Sequence, residues 1–101
     1  MKKLIKYRKG YKYQLAEDYY QFMPFAPDKD IDTEYISFGL DKLLRIKEGY
    51  AWDGPSGPTI DTESSMRGAL VHDALYQLLR MQKLPQSMRP FCDEIAVVPL
   101  L

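Results

Sequence analysis

The chain has 101 residues, with 14 basic and 14 acidic side chains, and hence a formal net charge of zero. This length fits one domain over residues 1–101, and a hydrophobic fraction of 46% argues against a disordered chain. Zero net charge argues against a dedicated nucleic-acid-binding protein, no apolar run reaches the ~18 residues of a membrane span, and the single Cys92 excludes an internal disulfide.

Charge is segregated along the first part of the chain. Residues 2–12 carry six basic side chains and no acid, whereas residues 17–34 carry six acids and one lysine. The basic stretch with its interleaved tyrosines is typical either of a phosphate-contacting arm or of a solvated β-hairpin with a charged edge. We favour the hairpin, because the acidic segment that follows can lie beside it and offset its charge.

Residues 1–48 are predicted to be rich in β-structure. Segments rich in Tyr, Leu and Ile predict strands over residues 3–7, 11–16, 19–23, 35–38 and 43–46. A Lys-Gly turn at residues 9 and 10 and a turn through residues 39–42 would make two hairpins of a small antiparallel sheet. The composition of residues 24–32 predicts a loop.

A Gly/Pro loop is predicted over residues 49–61. Three glycines and two prolines in thirteen residues argue against a regular element there. This segment holds the only tryptophan of the chain. The loop is predicted to be either a tight structural crossover or the wall of a site, which Trp52, Gly54 and Ser56 would form, because rigid loops often carry functional residues.

Residues 62–98 are predicted to form two helices packed on the sheet, which makes the fold class α+β. The first helix covers about residues 62–81, and the second begins near Ser87, ends before Pro99 and has an apolar side formed by Phe91, Ile95 and Val98. Two adjacent stripes run along the first helix. One contains Ala69, His72, Tyr76 and Leu79, and the other contains Met66, Leu70, Asp73 and Gln77.

The first helix carries the residues that favour chemistry. His72 is the only histidine, and imidazole is the side chain best suited to moving protons near neutral pH. Asp73 follows it directly, and Tyr76 lies one turn later. Gly68, one turn earlier, predicts the close approach of another backbone. We assign that backbone to the Gly/Pro loop, which would bring Asp53 near the imidazole.

Two interpretations of these residues stay open. In the first, His72 is a general base that Asp73 and Asp53 orient, or beside which they bind a divalent cation. Tyr76 then supports the centre by hydrogen bonding. Further support is expected from Asp61, Arg89 and Asp93. In the second interpretation, His72, Asp73 and Tyr76 are a structural polar clamp, or Asp73 simply pairs with Arg80 or Arg89.

Three short segments carry a resemblance to a known family. They read Gly-Tyr-Ala-Trp-Asp-Gly-Pro-Ser-Gly-Pro at residues 49–58, Asp-Thr at 61–62, and Leu-Val-His-Asp-Ala-Leu-Tyr at 70–76. Together they resemble a family of small bacteriophage and prophage proteins that is catalogued as a domain of unknown function. The family pattern adds an Arg and an Asp on a last helix, which Arg89 and Asp93 match. Their spacing of four also predicts an ion pair between them.

The resemblance covers about residues 11–93 and implies a phage origin and a fold, but no reaction. A second, local likeness is to the His-Asp-x-Cys-Tyr helix of secreted phospholipases, in which Leu75 stands at the place of a cysteine. Family members usually continue past the final Asp with a longer amphipathic helix. We therefore expect the last helix of this chain to be shortened or altered.

Two functions of different class follow from these observations. One is a phage-encoded protein with a hydrolase-like centre at His72 and Asp73. The other is a non-enzymatic phage accessory protein that binds a host or virion partner through an exposed patch. The candidates for that patch are Tyr19, Tyr20, Phe22 and Phe25. Because no apolar stretch follows the basic start, we expect no signal peptide and a location in the host cytoplasm during infection.

Overall fold

A computed structural model describes the backbone of residues 7–9, 13–52 and 63–97 and the side chains of residues 13–52 and 66–94. Its strands are β1 (Tyr7–Lys9), β2 (Tyr13–Leu15), β3 (Tyr19–Phe22), β4 (Ile31–Asp32), β5 (Ile36–Phe38), β6 (Leu43–Ile46) and β7 (Ala51–Trp52). Helix α1 (Glu63–Arg80), a 3₁₀ turn (Gln86–Met88) and helix α2 (Arg89–Val97) follow. Strands and helices are segregated along the chain, which confirms the predicted α+β class.

The described strands form two antiparallel sheets, where the sequence predicted one. The first has the order β1-β2-β7 and the second the order β3-β6-β5-β4. Both predicted hairpins are present, because β1 pairs with β2 and β5 pairs with β6. β4 and β7 lie in segments predicted as loops, since two residues are too few to show an alternating pattern. The described part of β1 runs past the predicted end at residue 7, so that Lys9 belongs to the strand and not to a turn.

The connection from β6 to β7 joins the two sheets. The Gly49 amide donates to the Leu15 carbonyl and the Leu15 amide donates to the Tyr50 carbonyl, each at 2.9 Å. The Lys47 amide donates to the Tyr35 carbonyl at 2.7 Å. Gly49 has a φ of +94°, and a Cβ at this position would lie 3.3 Å from the Tyr35 ring. Glycine is therefore required for the turn that brings Tyr50 between the sheets.

One hydrophobic core is shared by the two sheets and the two helices. Its fully buried members include Leu15, Phe38, Ile46, Trp52, Leu70, Val71, Leu75, Leu78 and Cys92. Helix α1 agrees with its predicted range, and α1 and α2 pack against each other. On the predicted apolar side of α2, Phe91 is 48% exposed, although its ring packs on Phe25, and Cys92 is buried, as is typical of a packed cysteine. The side chains of Ile95 and Val98 lie outside the described residues.

The aromatic residues of the predicted binding patch do not share one surface. Strand β3 alternates, so that Tyr20 and Phe22 are exposed while Tyr19 is buried. Phe25 is also buried, with its ring centroid 5.5 Å from those of Phe38 and Phe91. Within the described ranges, neither helix has both the length and the apolar character needed to cross a membrane.

Candidate functional site

Two neighbouring stripes of helix α1 line two different cavities. Asp73 and Gln77 face a cavity of about 610 Å³, and Tyr76 and Leu79 face one of about 280 Å³. Arg80 lines both. Successive residues of an α-helix lie about 100° apart around its axis, so adjacent side chains point in different directions. The stripes predicted from the sequence therefore correspond to two separate surfaces.

The larger cavity lies where both sheets meet α1. Residues 33–36, before and at the start of β5, form one wall, and residues 49–52, leading into β7, form another. Helix α1 supplies Asp73, Gln77 and Arg80. The lining thus combines aromatic rings with carboxylate, amide and guanidinium groups, a mixture typical of sites that bind polar ligands.

A hydrogen bond between Tyr50 and Asp73 connects the sheets to α1 at this cavity. The Tyr50 hydroxyl donates to Oδ2 of Asp73, 23 residues further along the chain. Burial raises the pKa of the Tyr50 phenol far above its ordinary value, and the hydrogen bond to the Asp73 carboxylate raises it further. The phenol is therefore a neutral donor near physiological pH, and it holds Asp73 against the sheet.

This contact corrects the predicted partners of Asp73. Among the described side chains, Asp73 forms an ion pair with neither Arg80 nor Arg89, and it makes no hydrogen bond to His72. The Arg80 guanidinium donates to Oε1 of Gln77 at 2.7 Å instead. An orienting role of Asp73 toward the imidazole finds no support in this geometry.

His72 lies at the edge of the other stripe, beside Tyr76. It is partly buried, and the two ring centroids are 4.3 Å apart with an interplanar angle of 53°. Tyr76 therefore contacts the imidazole through its ring, where the sequence predicted support by a hydrogen bond. In the described part of the chain, no group forms a hydrogen bond with the imidazole nitrogens.

Only residues 49–52 of the predicted Gly/Pro loop are among the described residues. Asp53, Gly54, Ser56 and Asp61 lie outside the described residues, so their predicted roles stay predictions. Trp52 is described and ends β7, where it is 1% exposed and packs 5.7 Å from the Tyr13 ring centroid. It is thus a core residue that also lines the larger cavity. Among the described atoms, none lies within 4 Å of a Cβ placed at Gly68.

The sequence also predicted a bound divalent cation near His72 and an ion pair between Arg89 and Asp93. Within the described residues, no three His, Cys, Asp or Glu side chains come together in a group that could hold a metal ion. The predicted contribution of Asp53 to a cation site lies outside the described residues and stays a prediction. The predicted pair of Arg89 with Asp93 is wrong, because the Arg89 guanidinium instead lies 5.8 Å from the Tyr76 ring centroid.

Sequence reasoning missed Tyr50, the residue that binds Asp73. A signal was present, because Tyr50 lies within the Gly-Tyr-Ala-Trp run of the resemblance. The sequence predicted a loop at this run, whereas the structure places Tyr50 directly before β7, with its buried phenol against α1. Searches of family models, curated proteins and solved structures find no match to this chain.

Proposed function

We propose that this chain is a phage-encoded, non-enzymatic accessory protein that binds an extended segment of a host or virion protein in the host cytoplasm. The observation that carries the proposal is the 610 Å³ cavity beside β7. This strand pairs with β2 on one side, and no other described strand pairs with it. A free strand edge offers backbone N–H and C=O groups to an incoming strand.

The side chains of the cavity suit a peptide. Tyr35 is 40% exposed, and its ring centroid lies 6.4 Å from that of Tyr50, so that the two rings form an aromatic wall. Gln77 supplies an amide, Arg80 a guanidinium and Glu34 a carboxylate. Aromatic rings next to a few polar groups are the usual composition of surfaces that bind peptides and proteins.

The Tyr50–Asp73 hydrogen bond gives this cavity a defined shape. It links α1 to the segment that leads into β7, and therefore limits how far the helix can move from the strand edge. A site that is held in its bound shape loses less conformational entropy when it binds. The structural clamp that the sequence predicted at His72, Asp73 and Tyr76 is thus reassigned to Tyr50 and Asp73.

The test begins with peptides selected against the purified protein from a displayed random library, whose affinities are measured by isothermal titration calorimetry. Replacement Tyr35→Ala is expected to weaken their binding about tenfold or more, as removal of an exposed aromatic contact does at interfaces. Tyr20→Ala is the matched control, because Tyr20 is also an exposed tyrosine, at 51%, but lies on β3 outside the cavity. Failure to select any peptide, or peptides that are sensitive to Tyr20→Ala alone, would refute the proposal.

The hydrolase-like function is kept as a second candidate on one observation. The His72 imidazole is partly buried and forms no hydrogen bond with the described residues, so none of them occupies the ring nitrogen that a general base would use. In the same peptide experiment, His72→Ala is expected to leave affinity unchanged. Cleavage of the selected peptides by the native protein, lost in His72→Ala, would favour the hydrolase.

A further inference from the structure

A second, smaller cavity lies between the C-terminal half of α1 and the start of α2. Its volume is about 280 Å³, and its lining consists of Tyr76, Leu79, Arg80, Gln86 and Arg89. This volume is close to the lower limit of ordinary small-molecule sites. The cavity opens on a different side of α1 from the site of the proposed function, and only Arg80 is common to both.

The lining of this cavity is positively charged. It contains two guanidinium groups and no carboxylate. In the described part of the chain neither Arg80 nor Arg89 forms an ion pair, although Asp93 lies one turn after Arg89 on the same helix. Arg80 and Arg89 thus both line this cavity without an acidic partner among the described residues, and their two positive charges favour a bound anion.

Both guanidinium groups are held in place by neutral neighbours. Arg80 donates to Oε1 of Gln77 at 2.7 Å, which leaves its other N–H groups to bind a ligand. The Arg89 guanidinium carbon lies 5.8 Å from the Tyr76 ring centroid, and the same ring packs on His72. Such contacts restrict the arginine side chains before a ligand arrives, which lowers the entropic cost of binding.

We propose that this cavity binds a phosphate group, either as free phosphate or as the phosphate of a small organic molecule. Two planar guanidinium groups match the charge and the oxygen geometry of a phosphate, to which arginine can donate two parallel hydrogen bonds. The Gln86 amide and the Tyr76 hydroxyl add neutral donors, and Leu79 gives an apolar wall for an organic moiety.

Titration calorimetry of the full chain with inorganic phosphate, and separately with ribose 5-phosphate, tests this site. Replacement Arg89→Gln is expected to weaken binding of both probes about tenfold or more, because a charge-assisted hydrogen-bonding group is lost. The matched control is Lys83→Gln, which removes one exposed positive charge from the α1–α2 connection outside the cavity. Circular dichroism shows whether each variant is folded.

The two probes also distinguish the source of the phosphate. Tighter binding of ribose 5-phosphate than of inorganic phosphate supports an organic phosphate, and equal affinity supports the free anion. Arg89→Lys keeps the charge but loses the planar fork, so partial loss of affinity is expected. The proposal is overturned if sodium chloride of equal ionic strength gives the same signal, if Lys83→Gln weakens binding as much as Arg89→Gln, or if a single-stranded oligonucleotide binds more tightly than either small phosphate.

Discussion

Asp73 and His72 are neighbours in the sequence, but they belong to different surfaces of the protein. Asp73 binds the buried phenol of Tyr50, whereas His72 packs on the Tyr76 ring. The 100° rotation between successive helical residues accounts for this separation. A His-Asp dipeptide on a helix is therefore not by itself a catalytic pair. The hydrogen-bond partner of the carboxylate depends on which element packs against that side of the helix.

Replacement Tyr50→Phe tests the importance of that contact. It removes the only described hydrogen-bond donor to Asp73 and leaves a partly buried carboxylate without a partner. We expect the free energy of unfolding to fall by about 1–3 kcal/mol, the usual result when a buried polar group loses its hydrogen bond. Urea unfolding followed by circular dichroism measures the change. The control is Tyr35→Phe, which removes a hydroxyl from the same cavity wall and should cost less than half as much.

The pH dependence of the free energy of unfolding, compared between the native protein and Tyr50→Phe, tests the same contact. Folding raises the pKa of Tyr50 from its ordinary value of 10.0, so the unfolded chain loses this proton first as the pH rises. The phenol therefore contributes stability that is complete below pH 10 and declines above it. Between pH 10 and 11 the native protein should lose stability more steeply than Tyr50→Phe. Parallel curves for the two proteins would contradict the assigned contact.

At the scale of elements, one carboxylate holds the start of β3 to the end of β6. Asp18 accepts the Glu48 amide at 2.7 Å and two hydrogen bonds from the Arg45 guanidinium, at 3.0 and 2.7 Å. The Glu48 amide is the main reason that the pKa of Asp18 lies below its usual value, and Arg45 adds to the effect. These contacts fix the register of the pair formed by β3 and β6, in which Tyr20 lies opposite Arg45.

The protein should therefore lose stability in acid through Asp18. Because its pKa is lowered on folding from a reference value of 3.8, the unfolded chain binds this proton first as the pH falls. The contribution of Asp18 is complete above pH 4 and is lost as the pH falls through the lowered pKa. Urea midpoints measured from pH 7 to pH 2 should fall less steeply in Asp18→Asn than in the native protein.

A matched control for that experiment is Asp28→Asn. Asp28 is exposed and forms none of the hydrogen bonds or ion pairs in the described part of the chain. Its replacement should leave the acid dependence of the midpoint unchanged. An Asp18→Asn curve parallel to that of Asp28→Asn would show that the contacts of Asp18 with Glu48 and Arg45 do not stabilise the fold.

At the scale of the whole molecule, the two sheets and two helices share one core, so no element is stable alone. The reactivity of Cys92, which lies on α2, depends on whether this helix is packed in the core. Its side chain is buried against the core, and burial raises the pKa of its thiol to about 11. Both inaccessibility and the small thiolate fraction at neutral pH protect it from modification.

Labelling of Cys92 with a disulfide reagent at pH 8 should accordingly be slow in the native protein and fast in urea. The expected rate should fall with every substitution that stabilises the fold and rise with Tyr50→Phe, since exposure of the thiol requires α2 to leave the core. Absorbance of the released thiolate measures the reaction. Native labelling as fast as that of the unfolded chain would contradict a docked α2.

The sequence by itself determined the features that depend on near neighbours in the chain. Both hairpins, helices α1 and α2, and the two stripes of α1 follow from local propensity, turn residues and periodicity. The helix that carries His72, Asp73 and Tyr76 was predictable for the same reason. Only the tertiary structure decided which surface each of these side chains faces.

The features that only the tertiary structure decided involve residues far apart in the chain. The division of the strands into two sheets, the exposure of Phe91, and the bond from Tyr50 to Asp73 all depend on which elements pack together. The two cavities arise in the same way, because their walls come from segments separated by tens of residues. Periodicity indicates which face of an element is apolar, but it does not indicate which element packs against that face. The packing of the whole chain determines that partner.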